Sequence, residues 1–281
     1  MKRVLVLATV LVFGVSAYAQ KELTAKEIYR ANRDGIVQIY VNNQFSGTGF
    51  IASADGTIVT ANHVVTTKQS SFRQYASDIK VLVNGRATPY PATPIAAQVP
   101  DEQVNYDTAV LKIAESRLPS LALGDWDEVD IGDELTIIPS FPGMGIPLLA
   151  GLVANKGPAQ TDLGSRLVNT IIFQSPVRNG FSGAPIFSHH GHVIGIVTTK
   201  VFGISPAIDA VRQQLAASSQ SSTVIIQGVN FAPTMTELIN VLDQNLISGV
   251  GSGVDIGYAK KIQTEAAKGM KKEESAPTTH N

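Results

Sequence analysis

Short segments of alternating apolar and polar residues run along most of the chain, separated by Gly, Pro, Asn and Asp. Alternation with a period of two is typical of β-strands that bury one face, so the pattern predicts an all-β protein. The predicted strands are Ile36–Val41, Gln44–Ile51, Thr57–Ala61, Ile79–Val83, Thr108–Ile113, Leu135–Pro139, Leu148–Ala154, Arg166–Phe173 and Val193–Val197. Helical signals are fewer: a capping box at Thr24 and Glu27 starts a helix over Ala25–Arg33, and helical spacing recurs at Pro206–Ala217.

The C-terminal part of the chain has a different composition. Gly249–Gly253 is rich in Gly and Ser, and Lys260–Asn281 is polar and charged. Such segments are typical of linkers and termini, so residues 248–281 are predicted to form a tail with a short helix near Ala259–Gly269.

The N-terminus has the pattern of a secretory signal peptide. Lys2 and Arg3 precede the apolar run Val4–Val15, and small residues follow up to Ala19, which predicts cleavage after Ala19 and loss of residues 1–19. The alternative is a retained anchor, but the run is shorter than the ~20 residues that span a bilayer. Since no later stretch is long and apolar enough to span a membrane, we expect a secreted or periplasmic protein.

Composition excludes several function classes. Loss of Lys2 and Arg3 changes the formal net charge from −1 to −3, which argues against binding nucleic acid or an anionic membrane by bulk electrostatics. The chain has no cysteine, which excludes thiol catalysis, Cys-ligated zinc and disulfides.

One serine lies in a Gly-rich turn between apolar segments. Gly180 and Gly183 bracket Phe181 and Ser182, and Pro185 ends the turn. Glycines allow positive φ, so such a turn can present several backbone N–H groups to one point. A hydroxyl beside such donors has what acyl transfer requires, a nucleophile and an oxyanion hole, although a serine between glycines is also common in ordinary loops.

A histidine and an aspartate precede this serine in chain order. His63 follows the strand Thr57–Ala61, and Asp107 opens the strand Thr108–Ile113. The order His, Asp, Ser is one of those known for catalytic triads. Each residue also has a structural interpretation at a strand end, and other residues compete for the acid and nucleophile roles: Asp101, Asp125, Ser175 and Ser188.

The segments around these three residues resemble the trypsin-like (chymotrypsin-fold) serine proteases, and most of all the bacterial HtrA/DegP-like branch. The matching segments are Ser46–Ile51, Asp55–Gly56, Thr60–Val65, Asp107–Lys112 and Gly180–Pro185. The resemblance implies two six-stranded antiparallel β-barrels with short N- and C-terminal helices, over residues 20–247. It places the first barrel at about 36–120, the second at about 121–232 with its last strand at Thr223–Phe231, and a closing helix at about 235–243. The remaining residues, 248–281, are too few for a PDZ-like module.

The resemblance also assigns roles in a reaction that needs no metal or organic cofactor. His63 is the general base, Asp107 orients its ring, and Ser182 is the nucleophile. The backbone N–H groups of Gly180 and Ser182 form the oxyanion hole. The departures from the family pattern are Phe181 and Ala184, because relatives commonly read Gly-Asn-Ser-Gly-Gly-Pro.

Substrate-binding residues are implied in two segments: Pro176, Arg178, Gln227, Gly228, Val229 and Asn230. Pro176 stands where an acid would select Lys or Arg substrates, so we expect a small or medium apolar side chain instead. His189, His190 and His192 allow a metal site, but a hydrophilic hairpin tip is favoured because no carboxylate lies nearby in sequence.

The sequence therefore predicts a serine endopeptidase that acts on a protein or peptide. Two alternatives stay open. One is a catalytically weak or inactive member that binds peptides or unfolded chains, which Phe181 and Ala184 would favour. The other is a processing protease restricted to one partner.

Overall fold

The computed structural model describes residues 21–69, 72–95, 106–160, 167–200, 225–226, 229–230 and 248–274. Several sequence predictions lie outside these ranges: the signal peptide, the helix at Pro206–Ala217, the closing helix at 235–243, and the residues Asp101, Gln227 and Gly228. No helix in the described part of the chain combines the length and apolarity needed to cross a bilayer.

The first barrel is closed by six antiparallel strands in the order β1-β2-β3-β8-β7-β6. These are β1 (Ile36–Val41), β2 (Gln44–Ser53), β3 (Thr57–Ala61), β6 (Ile79–Val83), β7 (Tyr90–Pro94) and β8 (Thr108–Ile113), while β4 (Thr66–Gln69) and β5 (Phe72–Tyr75) form a separate hairpin. Ile39, Ile51, Ile58 and Leu111 are fully buried inside it. Strand β7 was not predicted, because Pro91 and the neighbouring prolines interrupt the pattern typical of a strand.

The second barrel is also closed by six antiparallel strands, in the order β10-β11-β16-β13-β12-β9. They are β9 (Glu134–Ile137), β10 (Leu149–Gln160), β11 (Leu167–Val177), β12 (Pro185–Phe187), β13 (Val193–Lys200) and β16 (Ser248–Asp255). Phe173, Ile137 and Ile186 are buried at its centre. The prediction of two six-stranded barrels is confirmed.

The strand that closes the second barrel is not the predicted one. Among the described residues, the short strands β14 (Ile225–Ile226) and β15 (Val229–Asn230) pair only with each other, and β16 pairs with both β11 and β13. Residues 248–274 are therefore not a tail, and a domain end at residue 247 is wrong.

The Gly-rich composition of β16 is a packing requirement of the core. A Cβ at Gly251 would lie 2.5 Å from the Phe173 ring and from Val177, and one at Gly253 would lie 2.6 Å from the Ile196 carbonyl oxygen. Glycines leave this space to the large side chains of neighbouring strands. The same glycines remove the apolar alternation by which a strand is predicted.

Helices close both ends of the described chain. α1 (Ala25–Asn32) begins with the predicted capping box and buries Ile28, and a 3-10 turn at Arg33–Gly35 follows it. α2 (Asn62–Val65) is a single turn after β3, and α3 (Gly257–Glu274) follows β16 directly. The predicted C-terminal helix thus exists, but it belongs to the folded body.

We expect a chain that ends after residue 247 to lose cooperative folding, because β11 and β13 would lose their shared partner. A chain that ends after residue 274 keeps every described contact and serves as the control. Thermal unfolding followed by circular dichroism distinguishes the two proteins. A cooperative transition in the shorter chain, at the temperature of the longer one, would contradict the assignment of β16.

Candidate active site

His63 and Asp107 form a hydrogen-bonded pair in the first barrel. β3 and β8 pair with Ala61 opposite Thr108, so the segment after β3 and the one before β8 lie side by side. The His63 ring nitrogen Nδ1 lies 2.7 Å from Asp107 Oδ2, and the His63 backbone N–H donates to Oδ1 at 2.9 Å. Asp107 is 2% exposed, whereas the His63 side chain is 30% exposed. A carboxylate at this position favours the tautomer protonated at Nδ1, which leaves Nε2 as the basic nitrogen.

The backbone of Asp107 adopts the left-handed conformation, with φ 47°. Asp tolerates this region better than most residues because its short polar side chain can bond locally. The Asp107 carbonyl also accepts the N–H of Asn62 at 3.0 Å. Main chain and side chain of Asp107 therefore both hold the segment that carries His63.

The turn that carries Ser182 depends on two glycines with positive φ, Gly180 at 91° and Gly183 at 83°. A Cβ at Gly183 would clash with the carbonyl oxygen of Thr48, and one at Gly180 would lie 2.7 Å from the Phe45 ring. Both Thr48 and Phe45 belong to β2 of the first barrel. The turn is thus pressed against the opposite barrel on both sides of the serine.

Thr48 is the main polar link between this turn and the first barrel. Its backbone N–H donates to the Ser182 carbonyl at 2.9 Å. Its hydroxyl lies 2.9 Å from the Gly180 carbonyl and 3.1 Å from both the carbonyl and the N–H of Ser140, which follows β9. Since Thr48 is fully buried, these bonds are shielded from water. Sequence analysis missed this role, although the residue lies in the most family-like segment.

Gly47 brings the serine turn next to the helix of His63. A Cβ at Gly47 would lie 2.8 Å from Val64, the residue after His63, and 3.0 Å from the Ser182 carbonyl oxygen. Gly47 of β2 therefore lies between Ser182 and α2, close to both. The fold brings His63, Asp107 and Ser182 to one region between the barrels.

The backbone N–H groups of Gly180 and Ser182 donate to no acceptor within the described ranges. Neither departure from the family pattern lies at a position of positive φ in this turn. Phe181 is 4% exposed and packs in the core of the second barrel, and its N–H donates to the Arg178 carbonyl at 3.2 Å. Ala184 is fully buried and is absent from the positions with positive φ, so its methyl group causes no backbone strain.

Two of the competing residues, Ser188 and Asp125, bond to other groups, and Ser175 is buried. Ser175 is 3% exposed, and Ser188 is fully buried with its hydroxyl donating to Glu128 at 2.7 Å. Asp125 forms an ion pair with Lys260 at 2.8 Å. Neither these serines nor Asp125 bonds to the His63 ring.

The predicted substrate-binding residues are only partly placed. Pro176 is exposed on β11, and Arg178 stacks on Phe141 with its guanidinium carbon 4.4 Å from the ring centroid. Phe141 in turn packs edge-on against Phe45 at 5.2 Å. These two rings, which border Gly180, were not predicted. Val229 and Asn230 are described only as β15, which pairs with β14 and with no described strand of either barrel.

A carboxylate does lie against the histidine hairpin. His192 Nδ1 lies 3.0 and 3.1 Å from the two oxygens of Glu128, which the sequence did not place there. The His189 carbonyl accepts the Leu23 N–H at 2.7 Å, which joins the hairpin to the segment before α1. Among the described residues, no three His, Cys, Asp or Glu side chains are grouped to hold a metal ion.

Two closed antiparallel barrels, with a His–Asp pair and a Gly-rich serine turn between them, define a chymotrypsin-like protein. The family model for the trypsin-like peptidase domain matches residues 47–196, more than half of the chain. The chain belongs to this family.

Sequence relatives agree with this assignment. A "Probable periplasmic serine endoprotease DegP-like" of Pseudomonas fulva is 32% identical over 203 residues, which cover 66% of this chain and 39% of the relative. "Serine protease HTRA1" of Xenopus laevis is 34% identical over 179 residues, 62% of this chain and 36% of the relative. The chain thus spans about two fifths of these relatives' length.

A solved structure supports the fold. The HtrA-type protease AlgW with a decapeptide superposes with a TM-score of 0.59 over 88% of this chain and 68% of its own, at 18% sequence identity.

We expect Thr48→Val to lower the free energy of unfolding by about 1–3 kcal/mol, because it leaves the buried Ser140 N–H without an acceptor and the Ser140 and Gly180 carbonyls without their shared donor. Thr264→Val is the matched control, since the exposed Thr264 hydroxyl bonds only within its own helix and its loss is expected to cost less than about 0.5 kcal/mol. Urea unfolding measures both values. Equal stability of the two variants would contradict the role given to Thr48.

The Glu128 carboxylate is expected to make folding stability depend on pH. Its burial raises the pKa, but hydrogen bonds from the Ser188 hydroxyl, the Asp125 N–H and His192 outweigh this effect and hold the pKa below the usual 4.5. A lowered folded-state pKa stabilises the fold at pH values above the unfolded-state pKa, and this contribution is lost as the pH falls through the folded-state value.

When the pH falls from 6 to about 3, the free energy of unfolding should therefore decrease less in Glu128→Gln than in the unmodified protein. Glu265→Gln, which changes an exposed carboxyl of α3, is the control and should keep the original slope. Urea unfolding at several pH values gives both slopes. An unchanged slope in Glu128→Gln would show that this carboxylate does not contribute.

Proposed function

We propose that the protein is a serine endopeptidase that hydrolyses peptide bonds through an acyl-enzyme, with His63, Asp107 and Ser182 as its triad. The observation that carries the proposal is the buried Asp107 carboxylate 2.7 Å from the His63 ring, in the fold region that also holds the serine turn. Membership of the trypsin-like peptidase family supports the same activity.

The reaction follows from the roles of these groups. His63 takes the proton of the Ser182 hydroxyl as the oxygen attacks the scissile carbonyl carbon. The negative oxygen that forms accepts hydrogen bonds from the Gly180 and Ser182 N–H groups, which are available within the described part of the chain. The His63 imidazolium then protonates the leaving amine as the C–N bond breaks. Water attacks the resulting ester by the same steps and releases the acid.

The substrate side of the proposal is a protein or peptide chain bound across the serine turn. AlgW structures contain a bound decapeptide or tripeptide, which is a property of that protein. In this chain Pro176 and Arg178 flank the turn, as do the rings of Phe45 and Phe141. Pro176 occupies the position where an acidic side chain would select Lys or Arg substrates, so we do not expect a preference for basic residues at this subsite.

We place the protein in the periplasm or outside the cell. Two relatives are named probable periplasmic serine endoproteases. The signal-peptide pattern that ends at Ala19 agrees with export from the cytoplasm. The proposal includes no role for nucleic acid or for a membrane after the signal peptide is removed.

The structure does not favour the alternative of an inactive peptide-binding protein. That alternative rested on Phe181 and Ala184. The Phe181 ring is buried in the barrel core and Ala184 avoids positive φ, so neither residue obstructs the turn.

Labelling with a fluorophosphonate probe tests the nucleophile. We expect one covalent adduct on Ser182 in the folded protein, and hydrolysis of an unfolded protein such as casein. Ser182→Ala should abolish the adduct and lower hydrolysis by about 10⁴- to 10⁶-fold. Ser175→Ala, which changes a buried serine on β11, is the matched control and should keep both.

The outcomes separate the candidate functions. Failure of the natively folded protein to react with the probe would reject the protease and favour a peptide-binding role. An adduct without casein hydrolysis would indicate a processing protease with a narrow substrate.

A further inference from the structure

Helix α3 connects the second barrel to the triad side of the first barrel. It follows β16 with one residue between them, Ile256, whose N–H donates to the Ile194 carbonyl of β13 at 3.1 Å. The Asp255 carboxylate accepts the Gly257 N–H at 2.7 Å and so satisfies a donor at the helix start. From this anchor in the second barrel the helix contacts β8 of the first. β8 begins immediately after Asp107.

A stacked pair of tyrosines lies beside this contact, just before β8. The rings of Tyr258 in α3 and Tyr106 lie 3.9 Å apart between centroids, with 6° between their planes. Both side chains are half-buried against the same apolar cluster, which includes Val110 of β8. Stacked aromatic pairs are worth about 0.5–1.5 kcal/mol beyond the area that they bury. The pair therefore restrains the Tyr106 ring.

Tyr258 is itself held at its far end. Its hydroxyl oxygen accepts the backbone N–H of Asn169 on β11 at 2.8 Å. The Asn169 side chain donates to Asp255 at 3.2 Å, next to the helix start. Tyr258 is thus tied to the second barrel through its hydroxyl and, independently, through the anchored start of the helix that carries it.

Tyr106 directly precedes the triad carboxylate. Its carbonyl accepts the Thr108 hydroxyl at 3.1 Å, so the residues on either side of Asp107 are joined across it. Asp107 has its φ at 47°, a sparsely populated conformation that persists only where the surrounding structure holds it. Movement of Tyr106 would therefore move the carboxylate that lies 2.7 Å from the His63 ring.

We propose that Tyr258 is a positioning residue of the active site, which fixes Asp107 against His63 through its stack on Tyr106. The proposal rests on the proposed serine endopeptidase function. It makes the His–Asp pair of one barrel depend on a helix that the other barrel anchors. Tyr258 does not contact substrate, so its loss should lower kcat and leave KM within about twofold.

Three variants separate this role from stability. Tyr258→Leu removes the stack, and Tyr258→Phe keeps it but removes the hydroxyl that Asn169 reaches. Lys260→Met is the matched control, because Lys260 anchors the same helix to Gly124 and Asp125 instead of Tyr106. All measurements are made well below the unfolding temperature of each variant.

Two readouts are used. One is kcat and KM for a peptide substrate. The other is the far-downfield proton NMR resonance of the His63 Nδ1–H, which reports the hydrogen bond to Asp107 and requires no turnover. Displacement of a catalytic group by about 1 Å can cost about 100-fold, so Tyr258→Leu should lower kcat by about 10- to 100-fold and broaden or shift the resonance. Tyr258→Phe and Lys260→Met should keep kcat within about threefold of the original value. In both variants the resonance should stay at its original position.

If Tyr258→Leu retains kcat and the resonance as Lys260→Met does, the positioning role is rejected. A loss in Tyr258→Phe equal to that in Tyr258→Leu would also reject it, since the stack would then not be the restraint. If the unmodified protein neither hydrolyses peptides nor reacts with the probe, the proposed function fails. The resonance in the three variants still decides whether Tyr258 positions the pair.

Discussion

The site between the barrels depends on the fit of one Gly-rich turn against one buried strand. Thr48 of β2 bonds to the carbonyls of Ser182 and Gly180, and Gly183 can approach Thr48 only because it has no side chain. These bonds orient the Gly180 and Ser182 carbonyls toward the first barrel, and the N–H groups of the same two residues have no partner among the described residues. A shift between the barrels would therefore disturb the serine and the proposed oxyanion hole together.

The C-terminal segment has two structural roles that follow from its position. β16 closes the second barrel by pairing with β11 and β13, and α3 then leads back to the first barrel. The aromatic stack of Tyr258 on Tyr106 adds a second connection between the barrels, next to Asp107. One segment thus completes the fold of one barrel and contacts the other barrel beside Asp107.

Much of the first barrel could be predicted because its signals are local. β1, β3, β6 and β8 have the predicted bounds, and the capping box before α1 is present, since each rests on residues close together in the chain. The second barrel was harder. β16 lacks the apolar alternation of a strand, because Gly251 and Gly253 must leave room for Phe173 and Ile186. These two glycines are required by side chains about 60 to 80 residues away in sequence, and a local sequence pattern does not contain that information.

The sequence by itself determined the family motifs, the all-β class and the three residues proposed for the triad, because the types and order of these residues are preserved in the chain. Only the tertiary structure decided which strand closes the second barrel. Only the tertiary structure also decided that Thr48 bonds to the serine turn and that Glu128 meets His192. It likewise decided that Tyr258 stacks on Tyr106 beside Asp107. Each of these contacts joins residues from distant parts of the chain, so the identity of a partner is set by strand pairing and packing.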